Sequence, residues 1–483
     1  MTDGPERREG GLRRELRFWE AVALSIAIMA PGAAMALNGT ATAGLVGRAV
    51  PLVFVLAAVG ILFVSYAFIR LTAYFSHAGS VYALSGATLG PRAGFFSGWA
   101  LLGTYLCFTV GSTAEVGLFG QEFLGSVGGP EIDWVLISLV AAALIWFLAY
   151  GDVRVVTRAL LTMEGLTVVL ILVLVAVIYA RLFGGTAPEG QQFTLSAFTL
   201  PGGVDFGTVG LATVFGLLAF AGFEGAASLG EETDNPRRNI PRAIAAAVVT
   251  MGLFYVVVML AQTLGFGVGN GGPERFAGSS SPLGELSTSF IGPGMAAAIN
   301  FGVMVSAFAS ALGTATAGSR MLFALCRDGF LSRRLGETSA RTGAPANALA
   351  VVMVVGTIAF VILRIGGVSA VNAFFYPATI GVLSLLVAYV VTNVGALKFL
   401  FTSRRVPTWE AVFPVIGLAV LLYVLYRNVF PAPDFPFNLF PYVVGAWLLV
   451  GLGTVLFVPG LARRIGANLA EREGAAFDDR KNP

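Results

Sequence analysis

Apolar runs of about twenty residues, separated by short polar segments rich in arginine, glycine and proline, recur along nearly the whole chain. A helix needs roughly 20 apolar residues to cross a hydrocarbon core, and about twelve spans are predicted on that measure. They cover residues 18–44, 51–75, 93–119, 132–150, 155–181, 206–229, 243–268, 293–324, 345–363, 369–397, 410–429 and 439–459. Two of them interrupt themselves. The first holds SIAIMAPGAAMALNG (Ser25 to Gly39), with Pro31 and Gly32 near its middle. The sixth, TVGLATVFGLLAFAGFEGAASL (Thr208 to Leu229), carries Gly222, Glu224 and Gly225 beyond its middle. Glycine weakens a helix, and a carboxylate at the bilayer centre costs about 3 kcal/mol on insertion scales, so such a helix is expected to line a polar cavity. The segment after it, EETDNPRRNIPRA (Glu231 to Ala243), is acidic, then punctuated by proline and rich in arginine. Segments of that kind end helices at the cytoplasmic surface.

The broken spans stand five apart, which predicts that spans one to five and six to ten are repeats of opposite orientation, with two spans appended. Taken alone, Pro31 reads equally well as a simple kink. A matching interruption in the other half favours a binding site, because paired Gly/Pro-broken helices mark where a transporter holds its substrate.

Composition agrees with the pattern. Hydrophobic residues make up 56% and charged residues 12% of the 483, and the mean hydropathy is +0.82. Soluble domains carry about 25% charged residues, so the fold class expected is an all-α polytopic membrane protein. The net charge of +3 then carries no implication of a nucleic-acid partner. Cys107 and Cys326 lie far apart in apolar segments, and His77 is the single histidine, which leaves little material for a disulfide framework, a metal cluster or a Ser-His nucleophile. Neither a catalytic site nor a cofactor is expected, and the chain is read as no enzyme.

Charge also predicts orientation. With both termini inside, 25 of the 30 lysines and arginines fall at cytoplasmic ends, and only Arg48, Arg181, Arg275, Arg364 and Arg427 fall outside. The reverse orientation violates the positive-inside rule. Residues 1–17 and 462–483 are accordingly expected to be cytoplasmic tails around a transporter domain at 18–461. The N-terminal tail lacks the short apolar region and cleavage site of a signal peptide.

The stretch LLAFAGFEGAASLGEETDNPRRNIPRA (Leu217 to Ala243) resembles the sixth-helix signature of the amino acid/polyamine/organocation (APC) transporters, F-x-G-[FY]-[DE] followed by E-E-x-x-N-P-x-R-x-x-P. SAFASALGTATAGSRMLFALCRDGFLSRRLGETSARTGAPANAL (Ser306 to Leu349) resembles that family's eighth helix and the loop after it. A weaker likeness joins SHAGSVYALSGATLGPRAGFFSGW (Ser76 to Trp99) to the connection between its second and third helices. The resemblance implies a LeuT-like inverted repeat, with the substrate held where the two helices unwind. The matching positions here are Ala30, Pro31, Gly32, Ala33 and Ala34, and Phe220, Ala221, Gly222, Phe223 and Glu224. Many members have a G-x-G break where this chain has Pro31, Gly32 and Ala33. Unwound backbone with a half-helix N-terminus can hold both charged ends of an amino acid.

Coupling residues are sought among buried carboxyls. Glu164 lies ten residues along from Arg154, which at ~1.5 Å per residue places it about 15 Å deep, near the midplane. A carboxyl there is either neutral or paired, and a neutral one can carry a proton to either side or merely hydrogen-bond helices together. Glu224 is the alternative proton site or a substrate contact, and Glu115 is expected in an outer vestibule. Ser112, with Tyr105 and Phe108 on one helical face, is a candidate cavity residue. Ser306, Ser310, Thr314 and Thr316 could hold sodium, but hydroxyls commonly bond their own helix.

The function expected is a plasma-membrane symport permease importing an amino acid or related amine, coupled to protons and working by alternating access. A sodium-coupled symporter and a non-transporting amino acid sensor are the alternatives.

Overall fold

The protein is described by a computed structural model covering residues 17–75, 80–150, 154–229, 233–269, 271–327, 330, 332–339, 344–403, 407–458 and 460–465. Helices occupy every predicted span, and no strand occurs among the described residues. The first span is two helices, α1 (Phe18–Ile28) and α2 (Pro31–Val46), and the second is α3 (Val50–Tyr74). A short α4 (Ser80–Leu89) precedes α5 (Pro91–Ser126), which outruns the expected third span at both ends. The fourth and fifth are α6 (Trp134–Tyr150) and α7 (Arg154–Phe183). The sixth is α8 (Phe206–Ala219) followed, after a turn, by a 3-10 segment, Phe223–Leu229. Then come α9 (Pro236–Phe266), two short helices, α10 (Gly272–Gly278) and α11 (Pro282–Phe290), and α12 (Pro293–Arg327). The last four spans are α13 (Ala346–Ile365), α14 (Ala370–Ser403), α15 (Val412–Arg427) and α16 (Phe440–Phe457).

Length and composition put these helices in a bilayer. Nine helical stretches among the described residues are long and apolar enough to cross one, and Phe18–Tyr74, counted as one stretch, contains the first two spans. Trp134–Tyr150 and Phe206–Ala219 are shorter apolar helices at the fourth and sixth. The chain is an integral membrane protein. Prolines in the first turn open α2, α3, α5, α9 and α16. An N–H there has no helical partner in any case, so its absence costs nothing.

Packing follows the repeat expected from the breaks. Each of the first three spans packs on its counterpart five later: α2 on α8, α3 on α9, and α5 on α12. Further contacts come in matched pairs. The contact of α5 with α14 is mirrored by α12 with α7, that of α5 with α13 by α12 with α6, and that of α1 with α9 by α8 with α3. A two-fold relation between the halves produces that pairing. The two appended helices lie outside it, α15 against α3 and α14, and α16 against α5 and α14. Trp99 and Trp447 fasten α16 to α5. Their rings stack at 4.3 Å, and each indole N–H donates to the other residue's carbonyl, at 2.7 and 3.0 Å.

Candidate functional site

The two breaks touch one another. Helix α1 ends at Ile28, and Ala30 turns the chain with φ 43° and ψ 63°, a left-handed conformation unusual for alanine. Pro31 then starts α2. On the other side Gly222 has φ +99°, and a Cβ placed there would stand 2.7 Å from Ile28 Cγ2 and 3.2 Å from the Ile28 carbonyl oxygen. Gly225, one turn on, also faces Ile28. The positive φ and the approach of Ile28 each call for glycine at 222. Ala30, Pro31, Gly32, Ala33 and Ala34 are buried, as are Phe220, Phe223 and Glu224, whereas Ala221 and Gly222 keep partial exposure. Phe220 turns away from the break to meet Tyr255 edge-on, with ring centroids 5.0 Å apart.

The N-terminus of α2 presents two N–H groups without a helical partner, and both are occupied. The Gly32 N–H donates to Glu164 Oε1 at 2.9 Å, and the Ala33 N–H donates to Ser306 Oγ at 2.9 Å. Ser306 also stands within interaction range of the Glu164 carboxyl. Glu164 is only 5% exposed, and its second oxygen, Oε2, has no partner. Glu164 of α7 and Ser306 of α12 thus converge on the break of the first span. Their meeting could not be anticipated from spacing, since 132 and 273 residues separate them from their partners.

Glu224 takes a different place from Glu164. It accepts a hydrogen bond from Tyr389 of α14 at 2.5 Å. The Tyr389 ring is held edge-on by Phe68 at 5.3 Å and, tilted, by Phe223 at 5.2 Å. Tyr105 of α5 stands within electrostatic reach of the same carboxyl.

Between α5 and α12 runs a seam of hydroxyls. Ser112 meets Ser310 at 2.9 Å, and Thr109 donates to Thr314 at 3.2 Å. Ser306 continues the series on α12. The expectation that these hydroxyls bond their own helix holds for Thr314, which donates to the Ser310 carbonyl, but Ser306 and Ser310 reach across to other helices. The expectation for Glu115 is corrected too. It is 1% exposed and lies within electrostatic reach of Glu164. The length of α5 misplaces it in a sequence count, because the helix extends seven residues beyond the predicted span, to Ser126. A cavity of ≈ 420 Å³ lies further along α5, among Gln121, Glu122, Glu285, Thr288 and Asn300, and not at the breaks.

Two broken helices meeting in the bilayer, with buried carboxyls against them, define a membrane transporter. The amino acid permease family matches residues 16–452, and the chain belongs to that family. It is 26% identical over 468 residues to the branched-chain amino acid permease BcaP of Lactococcus lactis subsp. cremoris, covering 92% of this chain and 94% of that one. Similarity of 27% over 415 residues relates it to the D-serine/D-alanine/glycine transporter of Escherichia coli, covering 83% and 80%. A cationic amino acid transporter of Arabidopsis thaliana, number 3 and mitochondrial, is 27% identical over 426 residues, covering 83% of this chain and 64% of its own length. The chain is therefore an amino acid permease of the APC type and not an enzyme.

Proposed function

We propose that the protein is a proton-coupled importer of an amino acid or related amine, working by alternating access at the two breaks, with residues 18–461 as the transporting unit. The observation that carries the reading is Glu164, a buried carboxyl held on the N-terminus of α2 with one oxygen unpartnered. A group so placed can exchange a proton with solvent only when the break opens, which is what coupling requires. The substrate contacts are assigned to Ala30, Pro31, Gly32, Ala33 and Ala34, to Phe220, Ala221, Gly222, Phe223 and Glu224, and to Ser112. The distribution of basic residues supports both termini in the cytoplasm, and the membrane proposed is the plasma membrane. The relatives named above carry branched-chain, cationic and small D-amino acids in their names, so a screen begins with those classes.

The experiment is uptake into proteoliposomes with imposed pH and potential gradients. Each charge moved contributes about 2.3 kcal/mol per 100 mV, so proton symport with a zwitterion is electrogenic. Accumulation driven by an inward pH gradient and abolished in Glu164→Gln is expected. Accumulation that needs sodium and ignores the pH gradient rejects the proton. Should Glu224→Gln alone uncouple uptake, the coupled site moves to the sixth span. Binding without accumulation identifies a sensor.

A further inference from the structure

A carboxylate already sits where the break of the first span offers its donors. The Gly32 and Ala33 N–H groups are the free ones at the start of α2, since Pro31 has none and the Ala34 N–H is bonded to the Ala30 carbonyl. Two adjacent N–H groups at the positive end of a 16-residue helix make a seat for an anion. The chain fills that seat from two other helices, with Glu164 Oε1 on Gly32 and Ser306 Oγ on Ala33. The fit is incomplete. The large majority of buried side-chain oxygens have a hydrogen-bond partner, and here Oε2 is left without one. Among the described residues, the titratable groups facing Glu164 from neighbouring helices are Glu115 of α5 and Tyr255 of α9, and Tyr255 OH and Glu115 Oε1 are themselves buried and unpartnered. Neither is a cation.

We propose that Glu164 is a built-in substitute for the substrate's carboxylate: an incoming amino acid places its own carboxylate on the Gly32 and Ala33 N–H groups, and the displaced Glu164 takes up one proton from solvent. The idea rests on the amino acid importer reading above and supplies its coupling step. Two carboxylates in one dry compartment, with Glu115 beside them, repel each other strongly. Only one of them remains ionised on the helix terminus, and the proton balances the other. One anion replaces another, and one proton enters with each substrate molecule. At low pH a neutral Glu164 is a poor competitor for the N–H groups, so substrate binds more tightly. At high pH an ionised Glu164 keeps the seat and binding weakens, by up to about tenfold per pH unit for a single linked proton. A ligand without a carboxylate cannot displace Glu164 by this route.

The test is calorimetric binding to purified full-length protein in buffers of different ionisation enthalpy, which counts protons taken up per ligand. L-leucine, L-arginine and glycine are compared with their carboxamides between pH 5.5 and 8.5, a range of roughly three units spanning the expected linkage. The wild type should take up about one proton per amino acid in the alkaline part of the range, with affinity falling there. Glu164→Gln should bind the same amino acid with no proton uptake and with affinity that no longer varies with pH, at least as tight as wild type at the alkaline end. The carboxamides should bind weakly and without proton uptake. Loss of amino acid binding in a Glu164→Gln protein that melts normally would overturn the proposal, because Glu164 would then be holding substrate and not competing with it. Wild-type binding with no proton uptake would also overturn it, while leaving amino acid transport standing. Intact proton-linked binding without accumulation in vesicles would reject transport and leave the exchange in place. If Glu164→Gln does not fold, Glu164→Asp provides the reading. One methylene shorter, it withdraws from the Gly32 N–H and should narrow the affinity ratio between low and high pH, and an unchanged ratio overturns the exchange.

Discussion

Tyr389 donates its hydroxyl hydrogen to Glu224 at 2.5 Å across a separation of 165 residues, tying the 3-10 segment after the second break to α14. Both residues are buried, and the aromatic rings of Phe68 and Phe223 fix the tyrosine in place. Glu224 is thereby positioned from outside its own span. Tyr389→Phe leaves a buried carboxyl without this donor, and a loss of about 1–3 kcal/mol of stability is expected. Glu224→Gln keeps a carbonyl acceptor for the tyrosine and should cost less. Thermal melting of both variants and of the double variant measures the coupling, and additive losses would show that the bond contributes nothing of its own.

Gly222 and Gly225 both face Ile28, but they differ in backbone. Gly222 has φ +99° with the Ile28 main chain behind it, whereas a methyl at Gly225 would meet Ile28 Cδ1, the end of a flexible side chain. Gly222→Ala is expected to impair transport and lower stability by about 1 kcal/mol or more, and Gly225→Ala to be tolerated better. Ile28→Ala should rescue Gly225→Ala and leave Gly222→Ala defective, since it removes the contact but not the strained φ. Uptake rates and melting temperatures for the four variants decide this, and equal rescue of both would refute the backbone argument.

Ser306→Ala strips the Ala33 N–H of its acceptor and the Glu164 carboxyl of a neighbouring hydroxyl. Leaving a buried donor unsatisfied costs about 1–3 kcal/mol. Ser306→Thr retains the hydroxyl and should recover most of the loss. A melting curve of Ser306→Ala that overlays the wild type would show that water replaces the hydroxyl at no cost.

The loop between α7 and α8 is clamped to the start of α10. Arg275 donates to both oxygens of Glu189, at 2.7 and 2.6 Å, and also to the Phe266 carbonyl, while Gln191 donates to the Gly265 carbonyl. The Arg275 guanidinium holds the Glu189 carboxyl below its usual range. The clamp's contribution is therefore fully present above the ordinary glutamate value of about 4.3 and is lost as pH falls through the depressed one. Hydrogen exchange of the 184–194 loop should be slow at pH 6 and accelerate, after correction for intrinsic rates, once acid protonates Glu189. In Arg275→Ala it should be fast at both. The side chains are half exposed, so the effect on global stability is small.

Helix positions were legible in the chain because a bilayer imposes a length and a polarity that twenty residues can display. Both breaks were legible for the same reason: Pro31, Gly32 and Gly222 are costly in an apolar helix and so stand out. What lies against the breaks was not. Glu164 could be placed at the midplane by counting from Arg154, but its bond to Gly32 depends on the rotation of α7 about its axis, which apolar residues all round the helix leave undefined. Tyr389 gave no signal, being one aromatic among many in α14. Glu115 is misplaced by a sequence count because α5 runs on for seven residues past the predicted span, through Gln121 and Glu122 to Ser126, and the cross-helix bonds of Ser306 and Ser310 leave no local signal because the neighbouring α5 and α2 are remote in sequence.

Ala30 is the pivot of a lever. On one side α2 is pinned, by Gly32 to α7 and by Ala33 to α12, and on the other α1 extends eleven residues, about 16 Å at the usual rise. A rotation of a few tens of degrees at that single residue sweeps the far end of α1 through several ångströms while α2 stays still. The left-handed turn costs an alanine about 1–2 kcal/mol relative to the right-handed one, so the joint is spring-loaded toward straightening. That a methyl group occupies the pivot, where glycine would bend without resistance, makes the resting angle of the lever a property of the sequence and not only of its surroundings.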